Sequence, residues 1–235
     1  MPPTEHTLKQ FDADLESVRS KVLQMGGLVE SQIRNAVRGL SLGDPDAIES
    51  AIEADRQVNA FEVDIDEACA QIIARRQPTA GDLRTVLSIA KTVTDLERMG
   101  DEAKKIARTA RQVLERAPLQ VPRLADVTHA AEVALAQLRK ALDAYARLDA
   151  RAAHELIRED VLLDNEFRAI MRQLVTYMME DPRTISSAID IVWIAKAIER
   201  IGDHAKNIAE HVVYIVEGTD IRHRSSARIV DGAMN

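Results

Sequence analysis

A chain of 235 residues has room for one large domain or two of roughly 100–120 residues each. Apolar residues make up 46% of it but aromatics only 3%, so the core must be aliphatic, which suits helix-on-helix packing better than a β-sandwich. A net charge of −7 excludes a chain-wide basic footprint for nucleic acid, and a single cysteine, Cys69, excludes an intrachain disulfide.

The N-terminal stretch has no signal-peptide core, and no run of about 18 apolar residues occurs, so nothing is predicted to span a membrane and a cytoplasmic location is expected by elimination. Thr7 with Gln10 reads as a capping box opening a first helix that reaches about Leu42. Gly43 interrupts it, and Asp44-Pro45 reads as an N-cap followed by the first residue of a second helix ending near Arg76. Ile48, Ile52, Val58, Ile65, Cys69 and Ile72 along it keep a helical spacing. Pro78-Thr79 breaks that helix, and Thr79 with Asp82 starts a third, ending near Arg116.

The prolines of segment 117–122 mark the strongest boundary in the chain. A fourth helix is expected from about Arg123 to Arg147. A fifth, capped by Asp149, should end near Met179. A sixth, started by Asp181-Pro182 and closed by Gly218, should run to about Val216. The expected fold is therefore all-α, six long helices in two similar three-helix bundles spanning 7–116 and 123–218, with a polar tail at 219–235 where Ile221 and Ile229 are candidates to dock.

The bundles are related by duplication. ERMGDEAKKIA at 97–107 and ERIGDHAKNIA at 199–209 agree at eight of eleven positions, 102 residues apart. A weaker pair, EADRQVN at 53–59 and REDVLLD at 158–164, has nearly the same offset. Both repeats carry oxygen-bearing side chains four residues apart: Asp55 and Asn59, Glu97 and Asp101, Asp160 and Asp164, Glu199 and Asp203. At that spacing two side chains share a helix face with Cβ atoms about 5–6 Å apart, so paired carboxylates repel unless a cation lies between them. Two such helices side by side would offer an oxygen-only ligand set, the chemistry of Mg²⁺, Ca²⁺, Mn²⁺ or iron, and the absence of sulfur argues against a zinc finger.

The plainer alternative is a set of solvated acids paired with neighbours such as Lys105 and Lys206. Gly100 and Gly202, mid-helix just before Asp101 and Asp203, each cost about 1 kcal/mol relative to alanine. They predict close approach of another backbone or a bulky ligand, or simply tight helix packing. The histidines 129, 154, 204 and 211 look scattered, with His204 most simply a surface residue, and Trp193 and Tyr177 read as core or interface residues. Arg222, His223, Arg224 and Arg228 form a small basic tail. No Glu-x-x-His, Walker loop, G-x-G-x-x-G or G-x-S-x-G is present.

The strings MGGLVE (25–30), RRQPTAGDLR (75–84), ERMGD (97–101), MMEDPRTI (178–185), ERIGDHAKNI (199–208) and DIRH (220–223) together resemble the PhoU family of phosphate-signalling proteins over about residues 7–223. The resemblance implies two symmetric three-helix bundles and a non-enzymatic negative regulator of the phosphate-starvation response. It implies partners as well: a high-affinity phosphate ABC transporter and a membrane sensor histidine kinase, reached peripherally, with a homodimer favoured. It further implies metal clusters held by paired E/D-x-x-x-D motifs. Glu97 with Asp101, Asp160 with Asp164 and Glu199 with Asp203 match that motif, whereas Asp55 with Asn59 departs by one amide, which predicts that the first-half site holds less positive charge or binds more weakly. The metal (Mg, Mn, Fe, Ca or Zn) is left open. Two other readings of the residues stand beside this one: a metal-dependent hydrolase or oxidase, and a purely structural bundle.

Overall fold

The computed structural model describes residues 3–116 and 124–221, the side chains of residues 3–9, 116 and 160 excepted. Six long helices follow one another: α1 (Pro3–Leu42), α2 (Pro45–Arg76), α3 (Ala80–Arg116), α4 (Leu124–Arg147), α5 (Ala150–Glu180) and α6 (Ile185–Glu217). No strand occurs among the described residues. The expected linker 117–122, the Arg123 helix start, Ile229 and the basic tail at 222–228 lie outside them.

Local chemistry accounts for most helix ends. The Asp44 carboxylate accepts hydrogen bonds from the backbone N–H groups of Asp46 and Ala47, and Pro45 fills the first helical position, where its missing N–H costs nothing. Thr79 Oγ1 donates to the Asp82 carboxylate at 3.0 Å at the head of α3. Asp149 caps α5 through the N–H of Ala152 at 3.0 Å. Asp181-Pro182 does not open α6 directly: it caps a 3₁₀ turn, Pro182–Thr184, that feeds into it. Gly218 ends α6 at φ +73°, a backbone region open to glycine at little cost.

The Thr7 cap is overturned, since α1 already runs from Pro3 and Thr7 lies a turn inside it; Gln10 hydrogen-bonds Asp14 instead. Residues three or four apart on a continuous helix also meet each other, so a Thr-x-x-Gln string does not by itself mark an end. The C-terminus of α4 closes in a Schellman arrangement, Asp149 N–H to Ala144 O at 2.9 Å and Leu148 N–H to Tyr145 O at 3.3 Å, with Leu148 at φ +51°. Arg19 of α1 reaches across and donates to the carbonyls of Tyr145 and Ala146, a cation at the negative end of a helix in the other half.

In the first half α1, α2 and α3 pack on one another; in the second, α5 and α4 pack on α6. The halves join chiefly where α3 lies against α6, with α1 against α4 beside it. Arg84 sits at Gly218, Asp95 meets His204 and His211, and Glu102 meets Arg200, so α3 and α6 run antiparallel along this seam. The core is aliphatic, with Val, Ile, Leu and Ala from all six helices and Tyr145 as its one fully buried ring among the described residues. Trp193 and Tyr177 are not part of it: they are 65% and 37% exposed.

Candidate metal centre

The second half brings three carboxylates together. Asp164 comes from α5, Glu199 and Asp203 from successive turns of α6, and one ligand oxygen from each lies within 4.8 Å of the others. Among the described residues this is the one group of three acidic, histidine or cysteine side chains so placed. Asp160, one turn before Asp164, has a side chain outside the described set. Glu199 is paired with Lys196 at 2.5 Å, and the Lys196 ammonium also lies 5.3 Å from the centre of the Phe167 ring; Arg168 stands 3.9 Å from Asp164. Three convergent oxygens with no sulfur or imidazole suit a hard cation, which would displace the lysine from Glu199.

The first half is arranged differently. Asp55 is buried and paired with the Lys104 ammonium of α3 at 2.5 Å, while Asn59 is exposed. Lys104 thus fills the place of a cation on Asp55. Glu97 and Asp101 are partly buried, and a residue absent from the repeat reading, Glu62 of α2, joins them electrostatically. Burial pushes the Glu97 carboxyl above its usual range, and the charges of Asp101, Glu62 and Asp55 push it further, with Arg98 opposing. Glu62 is raised in the same way, by burial and then by Asp66 and Asp101. Acids that raise one another's pKa are relieved by a nearby cation, although Glu62, Glu97 and Asp101 do not converge as closely as the second-half trio.

At Gly100 and Gly202 the nearest neighbours are side chains of adjoining helices. A Cβ on Gly202 would lie 2.2 Å from Leu163 Cδ2 and 2.8 Å from Gln137 Oε1; one on Gly100 would lie 3.1 Å from Gln32 Oε1 and 3.2 Å from Val58 Cγ1. Each half therefore packs a buried glutamine, Gln32 of α1 or Gln137 of α4, against the glycine beside its carboxylates. Gln32 donates to the carbonyls of Ala51 and Gly100, tying α1 to both other helices of its bundle.

Between the two carboxylate groups runs the α3–α6 seam. Asp95 is buried there, and its carboxylate meets the rings of His204 at 2.8 Å and His211 at 2.9 Å and accepts from the Asn207 amide at 3.0 Å. Burial alone would raise its pKa, but the hydrogen bonds from His204, His211 and Asn207 outweigh it and hold it at about 2. His204 is thus a nearly buried partner of Asp95, its side chain 14% exposed, and not a surface histidine. A groove of about 630 Å³ along this seam is lined by Lys91, Arg98, Asp203, His204 and Lys206 among others.

Sequence reasoning missed Asp95, whose counterpart 102 residues on is Ala197. Its partners did leave a signal. The long repeat departs from identity at three pairs, and two of them, Glu102/His204 and Lys105/Asn207, contain the α6 residues that turn to Asp95. The third diverging pair, Met99/Ile201, is buried core in both halves.

The PhoU domain model matches this chain twice, over residues 22–110 and 127–212. A phosphate-specific transport system accessory protein PhoU homolog from Pseudomonas aeruginosa is 48% identical over 233 residues, 99% of this chain and 96% of the relative. The accessory protein PhoU of Escherichia coli is 47% identical over 220 residues, 93% of this chain and 90% of the relative. The crystal structure of PhoU from Pseudomonas aeruginosa superposes with a TM-score of 0.86 at 49% identity, covering 89% of this chain and 100% of that one. The phosphate transport system regulatory protein PhoU from Streptococcus pneumoniae gives 0.83 at 27% identity, covering 90% and 99%.

Proposed function

The chain belongs to the PhoU family, and from that premise we propose that it is an accessory regulator of phosphate transport that keeps phosphate-starvation genes silent when phosphate is ample. PhoU is a helical, non-enzymatic family, so the hydrolase and oxidase reading is set aside. The observation that carries the reading is the double family match, one copy on each half of the chain, in relatives named as parts of a phosphate-specific transport system.

In this reading the protein acts as a homodimeric adaptor on the cytoplasmic side, docking on a phosphate ABC transporter and a sensor histidine kinase. No helix among the described residues is long and apolar enough to cross a membrane, so it would reach those partners by surface complementarity, for which long helical faces are suited. Asp164, Glu199 and Asp203 would hold a hard cation in the second half; Glu97 and Asp101 with Glu62 would hold one in the first. Bound cations would change the charge of the face presented to partners and stiffen the helices that carry it.

The test compares a deletion strain with a strain carrying Glu97→Gln, Asp101→Asn, Glu199→Gln and Asp203→Asn. The deletion is expected to switch on starvation genes in phosphate-rich medium, and the amide strain to do so in part. Genes that stay silent in the deletion overturn the regulatory role. A normally folded amide protein that regulates like wild type overturns the cation's part in it.

A further inference from the structure

Among the contacts that cross the α3–α6 seam, two lie beside the candidate ligands. Glu102 follows Asp101, Arg200 follows Glu199, and the two side chains meet at 3.1 Å. Asp95 lies two residues before Glu97, His204 follows Asp203, and these meet at 2.8 Å. The Asp95–His204 contact is largely shielded from solvent, whereas the buried Glu102 meets a half-exposed Arg200 and is shared with Lys105 at 2.8 Å. Asn207 and His211 fix Asp95 from the same face of α6, one and two turns further on. A pocket lined by Glu97, Asp101, Glu102, Arg200 and His204 holds residues of both halves in one space.

From this we infer that the two carboxylate sites are coupled, so that a cation in one half strengthens binding in the other through the Asp95–His204 and Glu102–Arg200 contacts. The inference rests on the reading that the carboxylates hold cations. The physical source is ordering. A cation on Glu199 and Asp203 immobilises the α6 turn that carries Arg200 and His204. Those two side chains then hold Glu102 and Asp95, and with them the α3 turn that carries Glu97 and Asp101. The second cation finds its ligands already restrained and loses less conformational freedom on binding. The duplication supplies two sites, and the positions where the repeats diverge, Glu102/His204 and Lys105/Asn207, supply the link that a symmetric pair would lack.

The test measures Mn²⁺ affinity at the second-half site by calorimetry in four full-length proteins: the parent, Glu97→Gln/Asp101→Asn, Asp95→Asn/Arg200→Gln, and all four substitutions together. Disabling the first site should weaken the second about fivefold in the parent background, the low end of measured couplings. In the Asp95→Asn/Arg200→Gln background the same change should alter affinity less than about 1.5-fold. Because the readout is a ratio, any direct effect of the lost Arg200 charge on Glu199 cancels. Arg200 is half exposed, so Arg200→Gln alone is a second variant expected to stay folded, and it should reduce the factor to an intermediate value. A factor near one in the parent overturns the coupling, and so does a fivefold factor that survives loss of both contacts. Mn²⁺ binding to none of the four proteins overturns the cation reading itself, and the coupling with it.

Discussion

Replacing Gly202 with alanine introduces a Cβ 2.2 Å from Leu163 Cδ2 and 2.8 Å from Gln137 Oε1. Both neighbours are nearly inaccessible to solvent, so neither can swing outward, and the Leu163 methyl must retreat by about 1 Å to reach ordinary contact distance in a close-packed interior. Overpacking of this kind costs about 1–3 kcal/mol, and with two buried partners displaced the upper part of that range applies. The substitution also recovers about 1 kcal/mol of helix propensity. The net expectation is a loss of about 1–2 kcal/mol, or a fall in Tm of about 2–8 °C for a chain this long. Gly100→Ala is the internal control. Its Cβ would meet Gln32 and Val58 at 3.1 and 3.2 Å, so shifts of a few tenths of an ångström suffice and the propensity gain offsets them. Its Tm should stay within about 2 °C of wild type. Thermal unfolding followed by circular dichroism, without and with Mn²⁺, reads both. Leu163 precedes Asp164, so Gly202→Ala should also gain less stability from Mn²⁺ than Gly100→Ala does. Equal Tm values for the two variants, or a more stable Gly202→Ala, would refute the packing of α4, α5 and α6 described above.

Asp164→Asn, Glu199→Gln and Asp203→Asn should each reduce bound Mn²⁺ in the second half, measured by metal analysis after dialysis; full retention in the triple variant removes those residues as ligands. Asp55→Ala should act mainly on stability, lowering it by about 2–4 kcal/mol in urea unfolding, because it strands the Lys104 ammonium in a largely buried place. Asp95 has a folded pKa of about 2 against 3.8 ordinarily, so its stabilisation, about 2 kcal/mol, is fully present above pH 5 and drains away as pH falls from about 4 to 2. Asp95→Asn should flatten that limb of the stability–pH curve, and an unchanged limb would contradict the assignment. Glu97 is raised instead, so protons compete with a cation for it at a higher pH than for an ordinary carboxylate. Mn²⁺ uptake in the first half, followed by calorimetry as pH is lowered, should accordingly fail above the ordinary carboxylate range, and uptake that persists into that range would contradict the assignment.

The number of helices, most of their ends and the duplication were legible in the sequence because they are set by local chemistry. Asp44-Pro45, Asp149 and Gly218 act on the backbone within a few residues, Thr79 bonds the side chain of Asp82 three residues on, and an i, i+4 pair is a property of one helix. The same locality misled at Thr7, where a capping string lies inside a helix already begun at Pro3. Which side chains meet across helices depends on how each helix is rotated and slid against its neighbours, and no local signal carries that. Tertiary packing alone gathered Asp164 of α5 with Glu199 and Asp203 of α6, and gave Asp55 to Lys104. It also filled the space at Gly100 and Gly202 with glutamines, and turned His204, Asn207 and His211, spread over two turns of α6, onto the single carboxylate of Asp95. Burial explains why that last contact forms: a carboxylate shut away from water must find hydrogen-bond donors, and here α6 of the opposite half supplies them.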